Sequence, residues 1–116
     1  MSLIPREEID HHAPGAKNDS GKNRLGLVLC GFSRSLIEVG KVGTFGAGKY
    51  SDGGWVNVQN GEQRYTDALL RHLFASAMGE NTDTESGLSH WAHVAWNALA
   101  VLDFMIRETE QRQNDE

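Results

Sequence analysis

The sequence predicts an all-α protein, a small bundle of about three main helices. Three segments of the 116-residue chain repeat apolar side chains at spacings of three, four and seven residues, which is the pattern of an amphipathic helix. Polar connections separate these segments, and only one short run alternates in the manner of a strand, so no second run is present to pair with it. Helices joined in this way bury their apolar faces against one another, which favours a bundle.

Residues 1–24 are predicted to form a flexible arm, because they are polar and aperiodic and end in a turn-rich stretch from Lys17 to Arg24. His11 and His12 fall in this arm and are interpreted as tail residues. The run from Leu25 to Leu29 alternates but has no partner strand, so we expect an extended packed segment. Cys30 follows in the same apolar run and is expected to be a small buried side chain.

The first predicted helix covers residues 34–48, where Leu36, Ile37, Val39 and Val42 follow helical spacings. A turn at residues 51–54 opens a loop over residues 51–61 that holds Trp55. The second helix is predicted over residues 63–78, with Gly79 as its termination signal.

The third helix is predicted to open at Ser86, acting as N-cap, and to end at about residue 107. Its expected core-facing stripe consists of Leu88, Trp91, Ala95, Leu99, Leu102, Met105 and Ile106. The chain is thereby divided into an arm over residues 1–24, a single helical domain over residues 25–107 and an acidic tail over residues 108–116. So broad a stripe exceeds what one small chain covers, and we expect a homodimer or a higher homo-oligomer.

Composition excludes several classes of protein. Eleven Lys and Arg against sixteen Asp and Glu give a formal charge of -5, which argues against binding a nucleic acid polymer but permits a single nucleotide carried with a metal ion. One cysteine cannot form an internal disulfide. No run is apolar enough to span a membrane and the N-terminus does not resemble a signal peptide, so we expect no membrane partner and a cytoplasmic location.

Two polar stripes border the apolar faces of the second and third helices. Arg64, Asp67 and Arg71 share the i, i+3, i+7 spacing, and His90, His93 and Asn97 repeat it. If the stripes face each other, and Glu38 joins them, they bring together groups that bind metal ions and phosphate: carboxylates and imidazoles as metal ligands, and arginine forks for phosphate oxygens. The same residues also fit a simpler interpretation, in which Asp67 and Arg71 form an exposed ion pair and the histidines are polar spacers.

The glycines between Gly40 and Gly48, followed by Lys49, are similar to a phosphate-binding loop. Tyr50 stands where that loop requires Ser or Thr, and no strand precedes it, so we interpret the glycines as a helix end that packs closely on a neighbour. Trp55 could stack on a base or close the mouth of the bundle.

A series of motifs recurs in order between about residues 17 and 103: Asp19-Ser20-Gly21-Lys22, Arg24-Leu25, Glu38-Val39, Thr44-Phe45-Gly46-Ala47, Lys49-Tyr50, Trp55, Arg64-Tyr65, Asp67-Ala68-Leu69, Arg71-His72-Leu73, Gly79-Glu80, Asp83, Glu85-Ser86-Gly87-Leu88, His90, Ala92-His93 and Asn97-Ala98-Leu99. With these motifs the chain resembles the phage-associated family described as dATP/dGTP diphosphohydrolase, N-terminal domain. By its name this family is similar to the MazG-like all-α nucleoside triphosphate pyrophosphohydrolases, which bind Mg²⁺ or Mn²⁺ on helix carboxylates.

The resemblance implies candidate roles for individual residues, although the EExxE and ExxD signatures of MazG-like helices are absent and the central ExxD, Glu80 to Asp83, falls in a predicted loop. The catalytic candidates are Glu38, Asp67 and His93. The candidates for holding Mg²⁺ or Mn²⁺ are Glu38, Asp67, Glu85 and His90. Lys49, Arg64 and Arg71 are candidates for phosphate, and Trp55 and Asn97 for the base.

The function expected from the resemblance and the stripes is metal-dependent hydrolysis of a (deoxy)nucleoside triphosphate, with dATP or dGTP as substrate, to a monophosphate and pyrophosphate. One alternative is a non-catalytic helical module of a phage or prophage that binds a nucleotide or a protein. A third is a zinc-type phosphohydrolase that uses His72, His90, His93 and Asp67.

Overall fold

The computed structural model describes residues 14–115, in which the regular elements are helices. They are α1 (Leu25–Gly31), α2 (Ser33–Lys49), a short 3-10 helix (Gly54–Asn57), α3 (Gly61–Ala77) and α4 (His90–Asp115). An isolated bridge between Thr82 and Ser89 is the extended pairing found in this part of the chain. The all-α prediction is confirmed, and none of the described helices combines the length and the apolar character needed to cross a bilayer.

The described chain divides into two units after Ser33, and α1 belongs to the first of them. The extended segment expected here was wrong: Leu25, Val28 and Leu29 have the i, i+3, i+4 spacing of a helix, which outweighs the short alternation. The burial expected for Cys30 was also wrong, because this side chain is exposed. His11 and His12 lie outside the described residues.

The second unit holds α2, α3 and α4, close to the predicted positions of three helices. Trp55, Tyr65, Trp96 and Phe104 form an aromatic cluster that joins the 3-10 helix to α3 and α4, with Trp55 edge-on to Phe104 at 5.4 Å between ring centroids. Helix α3 begins against this cluster, since a side chain on Gly61 would lie 2.7 Å from the Phe104 ring. The cluster therefore fixes where α3 and α4 meet.

Helix α4 starts later and ends later than expected. Gly87 has a φ of +72°, a left-handed conformation that no helix interior accepts, so Ser86 does not cap the helix. Ser89 caps it instead, with its hydroxyl accepting from the Trp91 N–H at 3.2 Å. At the other end the helix continues to Asp115 rather than stopping near residue 107, supported by an i, i+4 ion pair between Arg112 and Glu108. The division into arm, domain and tail stays a prediction.

Most of the stripe that was expected to face the core is exposed, which corrects the prediction, and its members Leu88 and Ala95 are only partly buried. Trp91 is 59% and Leu102 53% exposed. The polar stripe is buried in its place, with His90, His93 and Asn97 at 4%, 7% and 5%. Tertiary packing therefore turns α4 so that its imidazoles and amide point inward, an orientation that a hydrophobic pattern cannot predict.

Candidate functional site

A cavity of about 730 Å³ opens among α2, α3, α4 and the connection between α3 and α4, residues 78–89. It brings together most of the charged and ionisable residues that the two stripes contain. The ionisable side chains of its wall are Lys49, Tyr50, Arg64, Tyr65, Arg71, His72, Glu80, Asp83, Glu85, His90 and His93. Trp55 and Asn97 also line it, so the structure groups eight of the ten residues singled out in the sequence.

One face of α3 supplies the positive charge on one side of the cavity. Arg64 and Arg71 lie seven residues apart, and Ala68 between them completes the same face. Neither arginine forms an ion pair with any residue in the 14–115 range, and both are exposed. Their guanidinium groups are thus available to an anion, and a planar fork of this kind suits phosphate oxygens.

Lys49, at the end of α2, reaches across to the connection. Its ammonium group lies 2.7 Å from Glu85 Oε1, and both side chains are largely exposed. This hydrogen bond with the Glu85 carboxylate raises the pKa of Lys49 above its ordinary value. The pair ties α2 to the connection through charge, in a place where solvent weakens it.

Three histidines from α3 and α4 form what we term the histidine cluster: His72, His90 and His93. His72 stacks on His93 with ring centroids 4.2 Å apart and an interplanar angle of 6°. His72 Nδ1 and His90 Nδ1 lie 2.8 Å apart, so one nitrogen donates a hydrogen to the other. Burial, followed by the neighbouring His93, lowers the pKa of His72, and burial likewise lowers the pKa of His93. Both rings are therefore neutral at pH 7.

The proton positions in the cluster follow from Glu80. His90 Nε2 lies 3.5 Å from Glu80 Oε1, so the arrangement that avoids two facing lone pairs puts a hydrogen on Nε2. His72 Nδ1 then donates to His90 Nδ1. His90 Nε2 is buried and makes no hydrogen bond within the described chain. A buried imidazole N–H without a partner costs free energy, which marks this position as one whose partner is missing or displaced.

Asp83 and His93 are joined through Ser86. The Ser86 N–H donates to Asp83 Oδ2 at 2.8 Å, and the Ser86 hydroxyl lies 2.7 Å from His93 Nε2. Burial raises the pKa of Asp83, but the hydrogen bonds from Ser86, together with His93 and His72, outweigh it and hold that pKa below its ordinary value. Asp83 is therefore an ionised carboxylate beside neutral imidazoles.

Three members of this group have the ligand atoms and the spacing that a metal ion requires. His72, His90 and Asp83 each offer one ligand atom, and these three atoms lie within 4.8 Å of one another. Two imidazole nitrogens and a carboxylate oxygen are ligands for a divalent transition metal.

Comparison with known proteins places the chain in a family. The family model described as dATP/dGTP diphosphohydrolase, N-terminal, matches residues 12–114. The chain belongs to this dATP/dGTP diphosphohydrolase N-terminal family. A dATP/dGTP diphosphohydrolase of Salmonella phage PMBT28 is 35% identical over 87 residues, which cover 75% of this chain and 28% of the relative. The chain therefore spans little more than a quarter of the length of that relative, and no solved structure matches it.

Two candidate residues of this family member lie away from the cavity. Glu38 forms an exposed ion pair with Lys41, with 2.9 Å between Oε1 and Nζ. Asp67 lines a separate surface groove between the start of α3 and the end of α4, beside Thr66 and Phe104. The structure thus does not bring these two carboxylates to Glu85 and His90, the other predicted metal ligands.

Sequence reasoning gave no catalytic or binding role to Glu80, Asp83 and Ser86 of this dATP/dGTP diphosphohydrolase N-terminal domain, and it gave His72 such a role only in the zinc alternative. The ExxD motif formed by Glu80 and Asp83 was the sequence feature that could have identified these carboxylates. It was set aside because the spacing has meaning on a helix, whereas here a folded connection delivers both carboxylates: the His90 N–H donates to Asn81 O and the Asp83 N–H to Leu88 O.

Proposed function

We propose that the chain hydrolyses (deoxy)nucleoside triphosphates, dATP and dGTP above all, to a monophosphate and pyrophosphate within the cavity described above. The observation that carries this proposal is the pair Arg64 and Arg71, two guanidinium groups without an ion-pair partner in residues 14–115, which face a cavity whose other wall holds carboxylates and imidazoles. Family membership and the name of the phage relative support the same substrate class.

The proposed binding mode divides the nucleotide between the two walls. Arg64, Arg71 and Lys49 contact the phosphates, and Trp55 and Asn97 contact the base. Trp55 is edge-on to Trp96, with ring centroids 6.0 Å apart, which gives it a fixed orientation. Asn97 is anchored by donating from Nδ2 to His93 O at 2.8 Å. Both residues are thus positioned before a ligand arrives, which lowers the entropy cost of binding.

In the proposed reaction a water oxygen forms a bond to the α-phosphorus, the bond from that phosphorus to the bridging oxygen breaks, and pyrophosphate leaves. The water gives its proton to His93, whose neutral ring and contact with Ser86 suit it to accept one. Arg64 and Arg71 stabilise the charge that develops on the departing phosphates. A divalent ion, Mg²⁺ or Mn²⁺ brought with the triphosphate, would neutralise phosphate charge here, and Glu85, beside Lys49, is the carboxylate that would meet it.

The proposal is tested by incubating the purified chain with each dNTP and NTP, in Mg²⁺, in Mn²⁺ and in EDTA, and separating the products by ion-exchange chromatography. We expect a monophosphate and pyrophosphate from dATP and dGTP, and no product in EDTA. Thermal stabilisation by a nucleotide that is not consumed would instead support a binding module. If the chain neither hydrolyses a nucleotide nor is stabilised by one, the result would contradict a nucleotide site.

We further propose that the chain forms a homodimer through the exposed apolar row of α4. This row consists of Trp91, Leu99, Leu102, Met105 and Ile106, each at least 47% exposed. A second copy is the occupant that the geometry favours, since the row follows the spacing with which two helices pack side by side. In the described residues the buried apolar side chains are few and small, namely Val42, Ala92 and Ala100, so an additional apolar contact would add to a thin core.

A further inference from the structure

We infer that His72, His90 and Asp83 hold a resident transition-metal ion, Zn²⁺ or Mn²⁺, distinct from any Mg²⁺ that accompanies a nucleotide. The three ligand atoms come from different parts of the second unit: α3 carries His72, α4 begins with His90, and the connection carries Asp83. Such a site would join the two long helices to the connection. This inference deepens the proposed function but stands on separate observations.

The first of these observations is the approach of the two imidazoles. Their Nδ1 atoms lie 2.8 Å apart, and a tetrahedral zinc ion with bonds of about 2.0 to 2.1 Å separates two nitrogen ligands by roughly 3.3 Å. A small outward rotation of the partly buried His72 ring, with its hydrogen passing through solvent from Nδ1 to Nε2 so that the ring stays neutral, makes room for a metal ion between the two Nδ1 atoms. Since both Nδ1 atoms already point at one place, little reorganisation is required.

The second observation is His90 Nε2, a buried nitrogen that makes no hydrogen bond in the described chain. His90 is 4% exposed, and the Glu80 carboxylate lies 3.5 Å from this nitrogen. Metal-binding histidines almost always donate their second N–H to a carboxylate, a carbonyl or water, which fixes the tautomer and the ring orientation. Glu80 stands on that side of His90, and a small approach of its exposed side chain would complete the hydrogen bond that a metal-bound His90 requires at Nε2.

The chemistry of the ligands selects the metal. Mg²⁺ and Ca²⁺ prefer sets made of oxygen, whereas imidazole nitrogen suits Zn²⁺; Mn²⁺ also favours oxygen, and it binds a mixed set of this kind more weakly than Zn²⁺ does. Three protein ligands leave further coordination positions open toward the cavity, which water or a phosphate oxygen can occupy. His93 stacks on His72 and holds that ring in place, but it is not part of the ligand set.

The test titrates the chelator-stripped protein with Zn²⁺, Mn²⁺ and Mg²⁺ by isothermal titration calorimetry, in the absence of nucleotide. We expect one equivalent of Zn²⁺ or Mn²⁺ and at least tenfold weaker binding of Mg²⁺. His72→Ala and Asp83→Asn should each weaken Zn²⁺ binding by tenfold or more, whereas Glu80→Gln should weaken it less. The matched control is the double variant His11→Ala/His12→Ala, which removes two histidines that are not among the proposed ligands and should bind as the parent protein does.

A measurement on the unmodified protein removes the question of whether a variant folds. Long-range ¹H–¹⁵N spectra of the imidazoles should show the ring nitrogens of His72 and His90 shifting together on addition of one equivalent of Zn²⁺. Shifts confined to His11 and His12, or equal affinity for Mg²⁺ and Zn²⁺, would overturn the inference. The outcome is independent of turnover: hydrolysis in Mg²⁺ without Zn²⁺ binding would refute this site alone, and Zn²⁺ binding without hydrolysis would refute the proposed activity alone.

Discussion

His90 is held from two directions before any ligand is present. Its backbone N–H donates to Asn81 O at 3.1 Å, and its Nδ1 contacts His72 Nδ1. The first contact belongs to the connection and the second to α3, so the ring orientation depends on both. Because these contacts fix its ring orientation, we assign His90 to the metal site and not to proton transfer.

Arg71 provides the clearest single-residue test of phosphate binding. Arg71→Ala removes a charge-assisted hydrogen bond worth roughly 1.5 to 3 kcal/mol, so we expect KM for dATP to rise between about tenfold and a hundredfold. The matched control is Arg112→Ala, because Arg112 is exposed and pairs only within α4. Steady-state kinetics measure KM for dATP in both variants. Equal KM values would show that Arg71 does not bind the phosphates.

For Asp67, the sequence and the structure predict different effects of a substitution. The stripe on α3 made it a catalytic carboxylate, whereas the structure places it in a different groove, beside Thr66. We therefore expect Asp67→Asn to keep its rate of dATP hydrolysis within about twofold, a change well below 1 kcal/mol. Loss of activity in a variant with unchanged helicity would show that the groove takes part in the reaction.

At the scale of the elements, the positions of α2 and α3 were predictable and the orientation of α4 was not. Local spacing of apolar side chains determines where a helix forms, and it gave both α2 and α3 within two residues at either end. Which face of α4 lies inside depends on contacts with distant residues such as Tyr65, whose ring lies 5.5 Å from that of Trp96. The histidines and Asn97 were therefore identifiable as a stripe, while their burial was not.

The same limit explains why the carboxylates of the connection were missed. Glu80 and Asp83 reach the cavity because of a short backbone ladder, in which Asp83 N–H donates to Leu88 O at 2.8 Å and Gly87 N–H to Asp83 O at 2.7 Å. No local pattern of hydrophobicity records such a ladder. The ExxD spacing of Glu80 and Asp83 was visible in the sequence, but only the fold shows that both carboxylates reach the cavity.

Two glycines test how closely the helices pack. In Gly61→Ala the new methyl group would lie 2.7 Å from the Phe104 ring, so we expect a loss of about 1 to 3 kcal/mol in the free energy of unfolding. Gly40→Ala, in the middle of α2 with no atom within 4 Å, should gain about 0.5 to 1 kcal/mol from helix propensity. Urea denaturation followed by circular dichroism measures both. Equal effects would mean that Phe104 moves aside without cost.

At the scale of the whole molecule, the distribution of apolar surface is the feature that calls for a partner. The double variant Leu102→Glu/Ile106→Glu places two carboxylates on the exposed row of α4, where they should repel a second copy without disturbing the fold. Size-exclusion chromatography with light scattering should show a dimer for the parent chain and a monomer for the variant, at micromolar concentration. A monomeric parent chain would contradict the proposed interface.

The ion pair between Lys49 and Glu85 has a thermodynamic consequence for any ligand of the cavity. A phosphate that takes Lys49 sets Glu85 free to bind a cation, and a cation that takes Glu85 sets Lys49 free to bind a phosphate. Each ligand thus removes a competitor of the other, so their affinities rise by the same factor, as linkage requires. Binding of the nucleotide would then increase the affinity for the divalent ion, and binding of the ion would increase the affinity for the nucleotide. The coupling would run through the exposed ion pair of Lys49 and Glu85.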